Sequence, residues 1–448
     1  MLPVPTRDDL RATARLAAPI VVVQVGWQLM GVVDALMVGH VSPAALAAVS
    51  IGNLLWFNVQ VLAFGLLMAL DPIIAQAFGA GDRDGVSLGV QRGLVLAVLA
   101  SALVSALLWP AEQLLIWLRQ PADVIPLAAE WMRWGILGVL PLNVFTVGRQ
   151  TLQAQNIVRP VIVATVVANL ANVGLNWVFI YGNLGVEPMG VVGSAHSTWI
   201  SRWLMAAMVW VAGWETLGPA VRPWRRAALD RAALWKMTVI GTPIGVQWFF
   251  EGFAFGVVTI WAGWLGTAVL AGHEVALNLA ALTFMMPLGV SGAAAALVGQ
   301  AIGRGDLDGA RREAAAAFVI GVGSMAIGAV LFLALPRLLA SAYTPDPATL
   351  AVAVALIPIA GAFQLFDGTQ AVAGGVLRGS GDTRWPAVMH FAGFWGFGVP
   401  TSWWLGLHTP LGARGLWWGL VAGLAAAAVL QVLRVRRRLS GPVSRTTV

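Results

Sequence analysis

The sequence predicts an all-α integral membrane protein, with twelve transmembrane helices arranged as two pseudo-symmetric six-helix bundles. Three observations carry that prediction. Of 448 residues, 59% are hydrophobic and only 10% charged, against roughly 25% charged in a soluble protein. Apolar runs of span length recur along the whole chain. The two halves of the sequence also overlay on each other. A soluble enzyme, a nucleic-acid-binding domain and a disordered scaffold are excluded, because so few charges cannot cover so large a core with water-compatible surface.

Spans need about 20 apolar residues, and twelve runs meet that length. The first six lie near 14–39, 44–72, 87–109, 124–148, 158–181 and 190–213. The other six lie near 234–261, 267–299, 314–336, 349–375, 384–406 and 412–434. Pro19, Pro243, Pro287, Pro358 and Pro400 fall inside spans, where membrane helices tolerate proline as a bend. Arg7, Arg11 and Arg15 precede the first run without a short apolar region and cleavage site, so the run reads as a retained helix. The alternating segments of a β-barrel are missing.

Charge placement sets the expected orientation. The net charge of +7 is not gathered into a patch for a nucleic acid; it punctuates the apolar runs. Of the 27 lysines and arginines, 22 fall on the side that carries both termini. Both ends are therefore expected in the cytoplasm. With no cysteine, disulfides, thiolate metal sites and cysteine nucleophiles are absent.

Sliding the sequence along itself by half its length superposes the halves. Pro19 falls on Pro243, and residues 65–85 fall on 289–309 with nine of 21 positions identical. Gly-x-x-Gly turns at 190–193 and 412–415 correspond after a small drift. The expected domains are an N-terminal lobe (1–213), a basic cytoplasmic linker (214–233) and a C-terminal lobe (234–448). Six spans return the chain to its starting side, so the lobes are parallel repeats of the kind found in rocking transporters.

Within that frame, acids inside spans are the functional candidates, since a carboxylate in the bilayer costs several kcal/mol. Three sit well inside the expected spans: Asp34, Glu251 and Asp367. Glu251 has Gln247 one turn before it, and Asp367 has Gln364 and Gln370 on its own face. Thr165, Asn169, Asn172 and Asn176 recur at helical spacing in the fifth run and form a polar stripe suited to partner Asp34. Such groups bind a proton, and oxygen-rich surroundings suit a hard cation equally; Glu251 and Asp367 could hold Na⁺. Trp248 and Phe255, near Glu251, are expected as cavity walls, and Glu274 as a cavity-lining or interfacial acid. Asp71 reads as a helix-end feature, His196 as a packing residue, and Arg202 has no evident partner.

Gly79-x-Gly81-Asp82 and Gly303-x-Gly305-Asp306 lack the lysine and Ser/Thr of a phosphate-binding loop, so they read as turns with acidic caps. Without an ATPase module, uphill transport must run on an ion gradient. No enzymatic constellation is present: there is no H-E-x-x-H, and Asp8-Asp9 lies outside the spans.

Several segments carry a resemblance to the multidrug and toxic compound extrusion (MATE) family. They are VDALMVGH (33–40), the paired Q-A-x-G-x-G-D loops at 76–82 and 300–306, and GVLRGSGDTRWP (375–386). PIGVQWFFEGFAF (243–255) and FQLFDGTQ (363–370) resemble its NorM-like branch. The resemblance covers essentially all twelve spans. It implies a MATE-like bilobal antiporter that exports amphiphilic, often cationic compounds in exchange for H⁺ or Na⁺, coupled through Asp34, Glu251 and Asp367. It further implies a multi-pass monomer of the inner membrane that meets membrane lipids, needs no cofactor beyond its coupling ion and binds no nucleic acid. Some relatives hold a tyrosine near the tenth-span aspartate; here Phe363 is the nearby aromatic. A lipid or glycolipid flippase of similar architecture is the alternative. It would need cationic cavity residues for phosphate headgroups, where the acids stand out here.

Overall fold

The computed structural model describes residues 3–447, which are helical almost throughout, with no β-strand among them. Helix α1 (Arg7–Gly39) fills the first expected run, and α2 (Pro43–Leu67) with α3 (Leu70–Gly79) the second. The third is α4 (Arg83–Leu108), followed by the short α5 (Ala111–Trp117). The fourth consists of α6 (Val124–Gly135) and α7 (Val139–Gln153), separated by a 3-10 turn at Ile136–Gly138. α8 (Arg159–Tyr181) and α9 (Val191–Ala212) complete the first six, and α10 (Trp214–Val221) turns away from α9 by 88°.

The second half repeats the plan with α11 (Arg231–Trp264), α12 (Thr267–Gly303), α13 (Leu307–Ala334), the short α14 (Pro336–Ser341) and α15 (Pro347–Gly379). Its eleventh run comprises α16 (Arg384–Phe391) and α17 (Val399–Leu407), joined by a π-helical stretch at Ala392–Gly398, and α18 (Ala413–Arg438) is the last. All twelve runs are thus helical. Nine of the described stretches are long and apolar enough to cross a membrane unbroken, ten with the bent α9–α10 pair. The runs at 124–148 and 384–406 stay helical throughout and change only in helix type, through the 3-10 turn at Ile136–Gly138 and the π-helical stretch at Ala392–Gly398.

Side-chain caps mark the helix starts. Asp82 Oδ1 accepts the backbone N–H of Gly85 at 2.7 Å, and Asp306 Oδ1 that of Gly309 at 2.7 Å. The paired Gly-x-Gly-Asp loops are therefore turns with acidic N-caps, as their composition predicts. The repeated Gly-x-x-Gly turns show a second device. Gly190 and Gly412 adopt left-handed φ values of 54° and 53°. Three residues on, a Cβ at Gly193 would stand 2.5 Å from the Phe179 carbonyl oxygen, and one at Gly415 would collide with that of Leu405. Glycine is required at both because the following helix crosses its predecessor backbone to backbone.

Large apolar side chains also face outward, among them Val98, Leu99 and Leu103 on α4 and Ile327, Val330 and Leu331 on α13. Such rows on long apolar helices are tolerated by lipid and not by water. The chain is a multi-pass membrane protein.

Contacts divide the protein into two compact units, which do not coincide with the sequence halves. One comprises Val22–Phe78 and Asp82–Gly245; the other comprises the chain up to Val21, Gly79–Gly81 and Val246–Thr447. The division cuts α1 after Val21 and α11 after Gly245, just past Pro19 and Pro243. A proline inside a helix removes one backbone hydrogen bond and bends it, which lets each end of the helix pack with a different set of neighbours. In the first unit, Gly241 and Gly245 press against the α2 backbone at Leu66 and Leu62. In the second, Thr13 Oγ1 donates to Glu313 Oε2 at 3.4 Å and Gly289 gives room to Val21.

The expected linker at 214–233 is a docked segment. Ser87 Oγ donates to the Ala220 carbonyl at 2.7 Å, and Gln91 Oε1 accepts the Arg225 backbone N–H at 2.9 Å. Arg225 also pairs with Asp84 at 2.6 Å.

Candidate functional site

Each unit contains one of the expected carboxylate sites. In the first, Asp34 lies near the end of α1 and is 4% exposed. Close packing of α1 on α8 brings it to the polar stripe: a Cβ at Gly26 would overlap Thr165 Cγ2. Asn176 Nδ2 donates to Asp34 Oδ1 at 2.6 Å and lies 3.3 Å from Asn172 Oδ1. The other carboxylate oxygen accepts from Thr198 Oγ1, on α9, at 2.7 Å. Of the stripe, only Asn172 and Asn176 reach the acid's hydrogen-bond network. Thr165 and Asn169 donate to carbonyls of their own helix, those of Val161 and Thr165. Charge-assisted bonds of this length are the strong kind, so the site is built to hold a carboxylate in one orientation.

Arg202 finds its partners here. It follows Thr198 by one turn of α9, is 8% exposed, and couples electrostatically to Asp34. Its guanidinium carbon lies 3.8 Å from the centroid of the Trp56 ring, a contact worth ~2 kcal/mol when desolvated. A Cβ at Gly138, in the break between α6 and α7, would come within 2.9 Å of the Arg202 side chain.

The second unit holds Glu251 on α11 and Asp367 on α15, which interact electrostatically. Asp367 is buried and receives no hydrogen bond among the described residues. Glu251 Oε2 is 3.4 Å from His390 Nε2 on α16, and Gln370 Nε2 is 2.8 Å from the other ring nitrogen. Of the polar residues placed beside these acids, Gln370 thus reaches Glu251 through His390. Gln364 is fully buried, with both amide atoms unpartnered among the described residues, and Gln247 is partly buried.

The aromatic residues one turn from each acid, Phe255 and Phe363, pack together. Phe255 lies 6.0 Å from Phe363 and 5.8 Å from Phe394, and Phe363 lies 5.8 Å from Trp417, centroid to centroid. Phe255 therefore packs against the core of this unit. Trp248 is partly buried. Glu274 is partly exposed, Asn278 donates to its backbone carbonyl, and its side chain has no hydrogen bond among the described residues. The adjacent His273 is held from both sides, accepting from Trp417 Nε1 at 3.1 Å and meeting Thr259 Oγ1 at 2.9 Å.

Two smaller expectations are settled by geometry. His196 packs among Trp134, Phe179 and Trp199, as a packing residue should. Asp71 does lie in the first turn of α3, but it is also buried and bonded by Gln150 Nε2 at 2.6 Å. Sequence reading missed Thr198 and His390. The first belongs to a legible signal, Ser194, Thr198 and Ser201 at helical spacing in the sixth run. His390 stands alone and offered none.

The MatE family model matches residues 19–178 and 243–404, two stretches that start at the prolines on which the sequence halves align. Multidrug resistance protein PmpM of Pseudomonas aeruginosa is 35% identical over 96% of this chain and 92% of its own length. A probable multidrug resistance protein NorM of Rhizobium meliloti is 34% identical over 96% and 94%. Among solved structures, the eukaryotic MATE transporter AtDTX14 superposes with a TM-score of 0.86 at 22% identity, covering 97% of this chain and 98% of that one. An outward-facing multidrug resistance MATE transporter gives 0.88 at 21% identity, covering 96% of each. With the family model matching most of the chain in two copies, the fold shared with solved transporters and such relatives similar along nearly its whole length, this protein belongs to the MatE family.

Proposed function

We propose that the protein is a secondary-active multidrug efflux antiporter. It exports amphiphilic, cationic small molecules across the bacterial inner membrane in exchange for H⁺ or Na⁺, with both termini in the cytoplasm. The observation that carries this reading is Asp34: an acid within a membrane-spanning helix, held by Asn176 and Thr198 on two other helices. A carboxylate so placed is expensive unless it is used. The relatives named as multidrug resistance proteins support the substrate class.

Exchange follows from mutually exclusive occupancy. Without its ion, an acid carries a negative charge that attracts an organic cation; ion binding removes the attraction and releases the compound. A ligand shifts a two-state equilibrium only through its differential affinity for the two states, and a single charge in low dielectric supplies a large difference. Glu251 and Asp367 provide the same means in the second unit.

Efflux of a fluorescent cation from cells expressing Asp34→Asn, Glu251→Gln or Asp367→Asn tests the proposal. Each substitution is expected to abolish efflux at unchanged membrane abundance. Wild-type efflux by all three would remove these acids from the mechanism.

A further inference from the structure

The contact between His390 and Glu251 bears on which ion the second unit accepts. Gln370 Nε2 lies 2.8 Å from His390 Nδ1. An amide nitrogen is only a donor, so Nδ1 accepts and the neutral ring carries its hydrogen on Nε2. That nitrogen lies 3.4 Å from Glu251 Oε2 without the alignment of a hydrogen bond, and it has no other partner among the described residues. A buried N–H with a carboxylate oxygen within reach, not yet aligned for a full bond, is poised to close on it.

The ring is held firmly in that pose. It stacks on Phe394 with centroids 4.6 Å apart. Phe394 belongs to the π-helical stretch Ala392–Gly398, and such stretches often occur at functional sites. The same stretch is fastened to α11 beside the acid, since Trp395 Nε1 donates to the Phe250 carbonyl at 3.2 Å. Phe250 in turn meets Phe391 edge-on at 5.3 Å.

We propose that His390 is an ion-selectivity residue: by presenting an N–H to Glu251, it occupies the approach that a sodium ion would need and makes this acid pair discriminate against Na⁺. A hard cation requires oxygen donors directed at it. Here one side of Glu251 offers a hydrogen instead, and Phe363, packed between Phe255 and Trp417, brings no oxygen. The inference rests on the antiporter reading of Glu251 and narrows the ion that it exchanges.

Proteoliposomes containing the purified full chain and the fluorescent cation ethidium, given either a pH gradient or a Na⁺ gradient at equal pH, test the assignment. Wild type is expected to respond to the pH gradient and not to Na⁺. His390→Ser, which exchanges the ring for a small oxygen ligand, is expected to lose roughly tenfold in pH-driven transport and to gain a Na⁺ response. Gln370→Leu frees Nδ1 and should move selectivity in the same direction, so it carries the test alone if His390→Ser cannot be purified as a monodisperse protein. Na⁺-driven transport by wild type, or unaltered selectivity in the variants recovered, overturns the proposal. Glu251→Gln run alongside separates the two readings: full transport by that variant refutes the role of Glu251 itself, whereas a silent Glu251→Gln with unaltered His390 and Gln370 variants refutes only the selectivity assignment.

Discussion

Thr198→Val is the sharpest probe of the Asp34 site. Valine keeps the shape of threonine at this buried position and deletes only the hydroxyl that donates to Asp34 Oδ2 at 2.7 Å. The same hydroxyl also reaches the Ser194 carbonyl at 2.9 Å. That carbonyl lies one helical turn back and keeps its place in the helix ladder, so the substitution orphans no second group. A hydrogen bond to a charged group contributes about 1.5–3 kcal/mol. The ion-free carboxylate should become harder to sustain by that amount, or about 10–100-fold in an equilibrium that requires it. The assay is equilibrium binding of a fluorescent cation to purified protein by anisotropy, paired with efflux from cells. Binding should weaken at least tenfold in Thr198→Val and return to near the wild-type value in Thr198→Ser. Wild-type affinity in Thr198→Val, at unchanged thermal stability, would show that the hydroxyl does nothing for the acid and would refute the reasoning.

Two further predictions concern the scaffold. Gly193→Val places a Cβ 2.5 Å from the Phe179 carbonyl oxygen; such overpacking costs about 1–3 kcal/mol and should lower the melting temperature in detergent, while the same change at Gly441, where nothing lies within 4 Å, should not. Asp346, the N-cap of α15, is held below the usual carboxylate range by hydrogen bonding from Thr349. A depressed folded-state value means that its contribution is complete above the unfolded-chain value of about 3.9 and is lost as pH falls through the lower folded one. Melting curves recorded from pH 6 down to pH 3 should therefore show a smaller acid-induced loss in Asp346→Asn than in wild type.

The internal repeat shapes the helices without repeating the chemistry. In the register that places Pro19 on Pro243, Asp34 falls on Val258, which is fully buried in apolar packing. The counterpart of Glu251 is Trp27, and that of Asp367 is Asn143, which bonds to Gln60 and Ser101. Duplicated features are those that backbone geometry demands: the prolines at the unit boundaries, the acidic caps and the close-crossing glycines. Each unit has its own acid site, one organised by amide and hydroxyl donors and the other by a second acid and a histidine.

Composition, span lengths and the repeat were legible from the residues alone, because each depends on local properties: apolar length, helix punctuation and the cost of an acid in lipid. Asp34, Glu251 and Asp367 stood out for that last reason, and the spacing of Asn172 and Asn176 identified the stripe that meets Asp34. What the residues could not show is which distant side chains meet. Asp34 and Thr198 are separated by 164 positions, and a lone histidine inside a helix is too common to signal a role. Only packing joined Thr198 and Arg202 to Asp34 and His390 to Glu251, and docked the linker onto α4. Helix formation follows from short-range pattern, whereas partnership between helices depends on the angle and depth at which whole surfaces fit, and that is settled in three dimensions.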